Sequence, residues 1–134
     1  MNAVAESPET FVVIDDQSDV RTLVRMILDV EERSLHEAAN GDEGLELVRR
    51  VNPDYVLLDV MMPGELDGFD VCERIKQDEA LRQARVILMT AMGRPEDREQ
   101  GMRAGADAYL VKPFSFVKLL ETIDELRDGE SSVH

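Results

Sequence analysis

Three carboxylates, one hydroxyl and one ammonium group each stand at the end of a short apolar run. Asp15-Asp16 follow residues 11–14, Asp59 follows 55–58, Thr90 follows 86–89, and Lys112-Pro113 follow 108–111. If those runs are strands of one parallel sheet, all five groups meet along its carboxyl edge, where open α/β sheets bind ligands. A single aspartate after a buried strand often only caps the next helix or closes a turn. Three drawn together repel one another and raise one another's pKa values unless a cation compensates, so a cluster this costly points to a ligand. Hard oxygen donors favour magnesium, with manganese as its substitute, because magnesium keeps several waters and takes one or two carboxylates together with phosphate oxygens. Zinc is a poor fit, since the two histidines, His36 and His134, are too scattered to converge on one ion.

The elements that must position these groups can be read from periodicity. Five short apolar or β-rich runs recur at 11–14, 34–39, 55–58, 86–89 and 108–111, and the second is the least apolar, as an edge strand would be. Helical spacing falls between and after them: Val20, Leu23, Val24, Ile27 and Leu28; Leu47, Val48 and Val51; Val71, Cys72 and Ile75; Phe116, Leu119, Leu120 and Ile123. The stretch 95–104 is nearly all polar apart from Met102 and is the weakest helix of the set. The alternation predicts an α/β domain, (βα)5, with a doubly wound five-stranded parallel sheet and right-handed crossovers. Asn40-Gly41, Asn52-Pro53 and Gly105 supply turn chemistry at the expected boundaries. Residues 1–10 and 129–134 read as tails around one domain at 11–128.

The chain carries 29 acidic against 15 basic residues, a formal net charge of −14, and its averaged field repels nucleic acid and anionic membranes. No run approaches the length of a membrane span. The one cysteine, Cys72, cannot close an internal disulfide and lies among apolar neighbours, so it reads as a core residue. With no signal-like N-terminus, the expected compartment is the cytoplasm.

Four blocks carry a resemblance to a known family. Phe-Val-Val-Ile-Asp-Asp at 11–16, Leu-Leu-Asp-Val-Met-Met-Pro-Gly at 57–64 with Asp67-Gly68, Ile-Leu-Met-Thr-Ala at 87–91, and Gly-Ala-Asp-Ala-Tyr-Leu-Val-Lys-Pro-Phe at 105–114 resemble the signature blocks of bacterial two-component response-regulator receiver domains, in the same order. The likeness covers residues 11 to about 127. It implies a flavodoxin-like sheet with strand order 2-1-3-4-5, and a chain that is a signalling switch, acting on no substrate but itself. Asp59 resembles the phosphoacceptor; Asp16, Asp59 and the backbone carbonyl of Met61 resemble the direct magnesium ligands, with Asp15 acting mainly through metal-bound water. Lys112 resembles the ammonium that pairs with a phosphoryl oxygen, and a Lys112–Pro113 bond in this place is implied to be cis. Thr90 and Tyr109 resemble the switch pair, in which the hydroxyl moves to the phosphoryl group and the ring swings into the space it leaves.

The implied partners are a sensor histidine kinase or phosphotransfer protein as donor, met by helix-one side chains such as Arg21, Arg25 and Asp29, and a downstream protein target. The target would read the face of helix four, strand five and helix five. A monomer or weak dimer is expected, because where the transcription-factor branch has an acid before the strand-five tyrosine and arginines along the last helix, this chain has Ala108, Thr122 and Asp124. Chain length favours a stand-alone receiver; the alternative is a receiver cut from a larger regulator. Two further departures are apolar Met61 and Met92, at positions that in the family govern phosphoryl lifetime, and a loop at 63–68 one residue longer than usual. A haloacid-dehalogenase-type phosphohydrolase is disfavoured because Asp15-Asp16 are adjacent where that family has Asp-x-Asp. A flavin carrier is disfavoured because the acids at 15–19 would repel the flavin phosphate.

Overall fold

Residues 11–14, 55–58 and 86–89 of the central strands are apolar throughout, which leaves neither sheet face fit for water and calls helices onto both. The computed structural model of the chain describes residues 9–30 and 33–132, with side chains as far as Asp128. Strands β1 (Glu9–Ile14), β2 (Arg33–Ala38), β3 (Tyr55–Asp59), β4 (Arg85–Thr90) and β5 (Ala108–Val111) alternate with helices α1 (Ser18–Leu28), α2 (Gly41–Val51), α3 (Gly68–Gln77), α4 (Pro95–Arg103) and α5 (Phe116–Ser132). All pairings are parallel and the order is β2-β1-β3-β4-β5. Residues 1–8 and 133–134, which include most of the expected tails and His134, lie outside the described residues.

Side-chain alternation along the strands divides the core in two. Phe11, Val13, Leu57, Ile87 and Met89 pack with Val24 and Leu28 of α1 and Leu119 and Ile123 of α5. Val12, Ile14, Val56, Leu58 and Leu88 face the other way, against Leu45 and Val48 of α2 and Val71, Cys72 and Ile75 of α3. Cys72 is therefore a core residue, and burial pushes its thiol up to about 12.

Element boundaries differ from the periodicity by a residue or two at several places. At the described beginnings of β1 and β2 the Glu9 carboxylate accepts from Arg127 Nε at 3.0 Å and lies 4.0 Å from Arg33. Phe116 shares the helical spacing of Leu119 and Ile123 but is 51% exposed, since it sits on the first turn of α5. The backbone of α5 continues as helix to Ser132, past the point at which a tail was expected to begin. By contrast α4 behaves as its composition predicts: it buries only Asp97 and Gly101.

The end of β3 is held by a close approach. A Cβ on Gly68, the first residue of α3, would lie 2.3 Å from the Asp59 carbonyl oxygen and 2.6 Å from Val60 Cα. Both atoms are backbone and cannot step aside without moving the strand. Gly68→Ala is expected to cost about 1–3 kcal/mol, read as a lower urea midpoint, by forcing α3 off the sheet. An unchanged midpoint would mean that the helix backs away freely.

Candidate functional site

Main-chain pairing carries each candidate side chain to the same edge. The Asp15 N–H donates to the Ala38 carbonyl at 3.1 Å, Val60 N–H to Met89 O at 3.0 Å, and Lys112 N–H to Thr90 O at 2.8 Å, so the sheet ladder continues past the ends of β1, β3 and β5. The Lys112–Pro113 bond is cis. Carboxylate oxygens of Asp15, Asp16 and Asp59 lie within 4.8 Å of one another. Asp16 and Asp59 border a cleft of about 200 Å³ that Gln17, Met61, Thr90, Ala91 and Lys112 also line, with Asp15 buried behind it.

The three acids have different surroundings. Asp15 is fully buried, and its two oxygens are taken, Oδ1 by the Gln17 N–H at 2.9 Å and Oδ2 by Lys112 Nζ at 2.8 Å. Its main-chain carbonyl accepts from Arg21 Nη1 at 2.7 Å. Asp16 is exposed and makes no hydrogen bond or ion pair with a described residue, which leaves both its oxygens free for a ligand. Asp59 is 4% exposed, and burial first, then the Asp15 charge, push its carboxyl up to about 6 against the pull of Lys112 and the Met61 amide. Lys112 Nζ answers this concentration of charge, reaching Gln17 Oε1 at 3.1 Å and standing 3.4 Å from Asp59 Oδ1 as well as bonding Asp15. The residual repulsion that still raises Asp59 is what a divalent cation would relieve, so the donor set suits a hard metal.

Thr90 and Tyr109 both bond the main chain of one residue, Met92. The buried Thr90 Oγ1 accepts from the Met92 N–H at 3.1 Å, and the Tyr109 hydroxyl donates to the Met92 carbonyl at 2.7 Å. The ring is 8% exposed. Room comes from Gly101: a Cβ there would lie 3.2 Å from Tyr109 Cδ2, so its absence admits the ring alongside Thr90.

Two features were not visible as site features in the sequence. Gln17 both lines the cleft and receives a Lys112 bond; the available signal was its position directly after the aspartate pair. Arg21, expected on the recognition surface, is turned inward between the Asp15 carbonyl and Glu37. Arg25 and Asp29 remain outward as an exposed pair at 3.0 Å, with Arg25 also bonded to Glu37.

The profile of the response regulator receiver domain matches residues 11–124, nearly the whole described chain. The chain belongs to the receiver family. This receiver is 45% identical over 103 residues to the transcriptional regulatory protein ResD of Bacillus subtilis, a stretch covering 77% of the chain and 41% of that protein. It thus spans less than half the length of the curated relatives it matches first. Among solved structures it resembles the chemotaxis protein CheY4 of Vibrio cholerae, with a TM-score of 0.83 and 26% identity over 89% of this chain and 98% of that one. It also resembles the CheX-CheY-BeF3-Mg+2 complex of Borrelia burgdorferi, with a TM-score of 0.82 and 26% identity over 90% of each chain. The receiver is therefore a component of two-component signalling, of the CheY-like fold, and its relatives are signalling regulators. No described helix is long and apolar enough to cross a membrane.

Proposed function

We propose that Asp59 accepts a phosphoryl group from a histidine kinase or phosphotransfer protein, with magnesium bound among Asp16, Asp59 and the Met61 carbonyl. The observation that carries this reading is the convergence of three carboxylates and the Lys112 ammonium on one small cleft. In the transfer an Asp59 carboxylate oxygen bonds to phosphorus as the phosphorus–donor bond breaks, giving an acyl phosphate. A bound magnesium ion would screen the charge of the phosphoryl oxygens. Asp15, with both oxygens engaged, orients Lys112 and would support a bound metal from behind its direct ligands. Lys112 exchanges its Asp15 and Gln17 partners for a phosphoryl oxygen, and the Thr90 hydroxyl, whose hydrogen is not committed to Met92, donates to another. The phosphoryl group, carrying about −1.5 to −2 in place of the single carboxylate charge and adding strong acceptor oxygens, biases α4, which has little core to lose, and so remodels the α4-β5-α5 face for a protein target.

Borohydride reduction after treatment with acetyl phosphate tests the assignment, since it converts a phosphoaspartate to homoserine. A homoserine at position 59 in the peptide map is expected; one at Asp15 or Asp16 would move the acceptor. Met61, 62% exposed at the cleft, and Met92 beside Thr90 present no group to orient an attacking water. The phosphorylated state is accordingly long-lived, and Met61→Asn and Met92→Glu should each shorten the decay of the acyl phosphate. Unchanged or slower decay would remove these side chains from the account. A second reading, a receiver that works within a longer regulator, is favoured by the greater length of the relatives.

A further inference from the structure

Three contacts on the Tyr109 side chain come from one stretch of chain, the β4–α4 loop and α4. Met92 takes its hydroxyl, Gly101 leaves space for its edge, and the Arg98 guanidinium carbon lies 5.2 Å from the ring centroid. Arg98 and Gly101 are three apart and share a helix face. The other arginines of α4 and its cap have acidic partners, Arg94 with Asp97 and Glu96, and Arg103 with Glu99. The Arg98 guanidinium makes no ion pair or hydrogen bond with a described residue, although the chain carries 29 acids. Its helical neighbours explain this, because positions three and four away on either side are Arg94, Pro95, Gly101 and Met102. Its charge is therefore free to act on the π face.

We propose that Arg98 is a positioning residue that clamps Tyr109 in its inward place and so ties the position of the ring to the position of α4. The clamp works through charge on the ring, and its significance for signalling rests on the proposed function together with the switch role that the family resemblance implies for Tyr109. Because α4 buries only Asp97 and Gly101, a ring contact of this kind is a large share of what anchors the helix. Ring and helix then open together.

The experiment needs no phosphodonor, so a failure of Asp59 to accept phosphate would not touch it. With 13C-labelled tyrosine the protein has two ring signals, Tyr55 and Tyr109, and Tyr109→Phe assigns them. Broadening by a soluble nitroxide reports ring exposure, with Tyr55 as the internal control for folding, and amide hydrogen exchange reports α4. In Arg98→Ala both Tyr109 broadening and α4 exchange are expected to rise roughly two- to fivefold, the population shift that a surface cation–π contact supports. Arg98→Met, which keeps an apolar stem without charge, should behave like the alanine variant. Unchanged Tyr109 broadening in Arg98→Ala, wild-type protection in Arg98→Met, or a freed ring over an α4 that exchanges as before would each overturn the proposal.

Discussion

Asp59→Asn is expected to unfold at a higher temperature than the wild type at pH 7.5 in the presence of a chelator, with the gap closing near pH 4. The Asp59 carboxyl titrates at about 6 in the folded protein against an ordinary 3.8, because burial and the Asp15 charge disfavour its ionised form. Folding therefore tightens its hold on the proton. The stability this contributes is complete below pH 3.8 and is lost as the pH rises through 6, so at pH 7.5 the wild type bears the full cost of an ionised Asp59. A shift of this size corresponds to about 3 kcal/mol, of which the loss of the Lys112 contact in the variant gives back part. A net gain of about 2 kcal/mol, or roughly 5–10 °C in melting temperature, should appear at pH 7.5 and little at pH 4. Thermal melts across that range check it. A gap that is constant with pH would show that the asparagine acts through packing and that the acids do not strain the fold.

Removal of Lys112 should have the opposite sign and a dependence on magnesium. Lys112 Nζ bonds the fully buried Asp15 at 2.8 Å and stands 3.4 Å from Asp59, so Lys112→Met leaves two buried carboxylates without their cation. Breaking a buried pair in this way costs about 3 kcal/mol, visible as a lower urea midpoint in chelator. Millimolar magnesium should recover more stability in the variant than it adds to the wild type, since a ligand that binds only the folded state stabilises it in proportion to its affinity and the variant's cluster is the more strongly uncompensated. Phosphoryl uptake from acetyl phosphate should fall by about a hundredfold or more through loss of the charge that meets the phosphoryl oxygens. The pKa of Asp59, which Lys112 holds down, should rise further in the variant and carry the acid limb of the uptake profile to higher pH. Equal stabilisation of both proteins by magnesium would mean that Lys112 and the metal do not share a site.

These effects arise where sequence and structure agree most closely. The strand ends were legible because a polar residue after four apolar ones can only lie at a sheet edge, and the edge strand β2 was legible from its weak apolar content. What sequence could not convey were contacts made by long side chains across elements. Arg21 looks like any outward helical arginine until the Asp15 carbonyl and Glu37 are placed beside it. Gln17 is a polar residue in a loop until Lys112, 95 positions away, reaches back to it. Phe116 keeps helical phase with the core yet stands beyond it, because phase says nothing of where along its axis a helix meets the sheet. The place of Tyr109 depended on the missing side chain of Gly101, a glycine that composition alone marks only as a weak point in a weak helix.

Intact mass after incubation with acetyl phosphate, with and without magnesium, tests the account most directly. The wild type should gain the mass of one phosphoryl group only when magnesium is present, and Asp59→Asn should gain none. A gain without magnesium, or one that survives in the variant, would contradict the assignment of Asp59 and its neighbours, and no gain in the wild type would make this chain a receiver in fold alone.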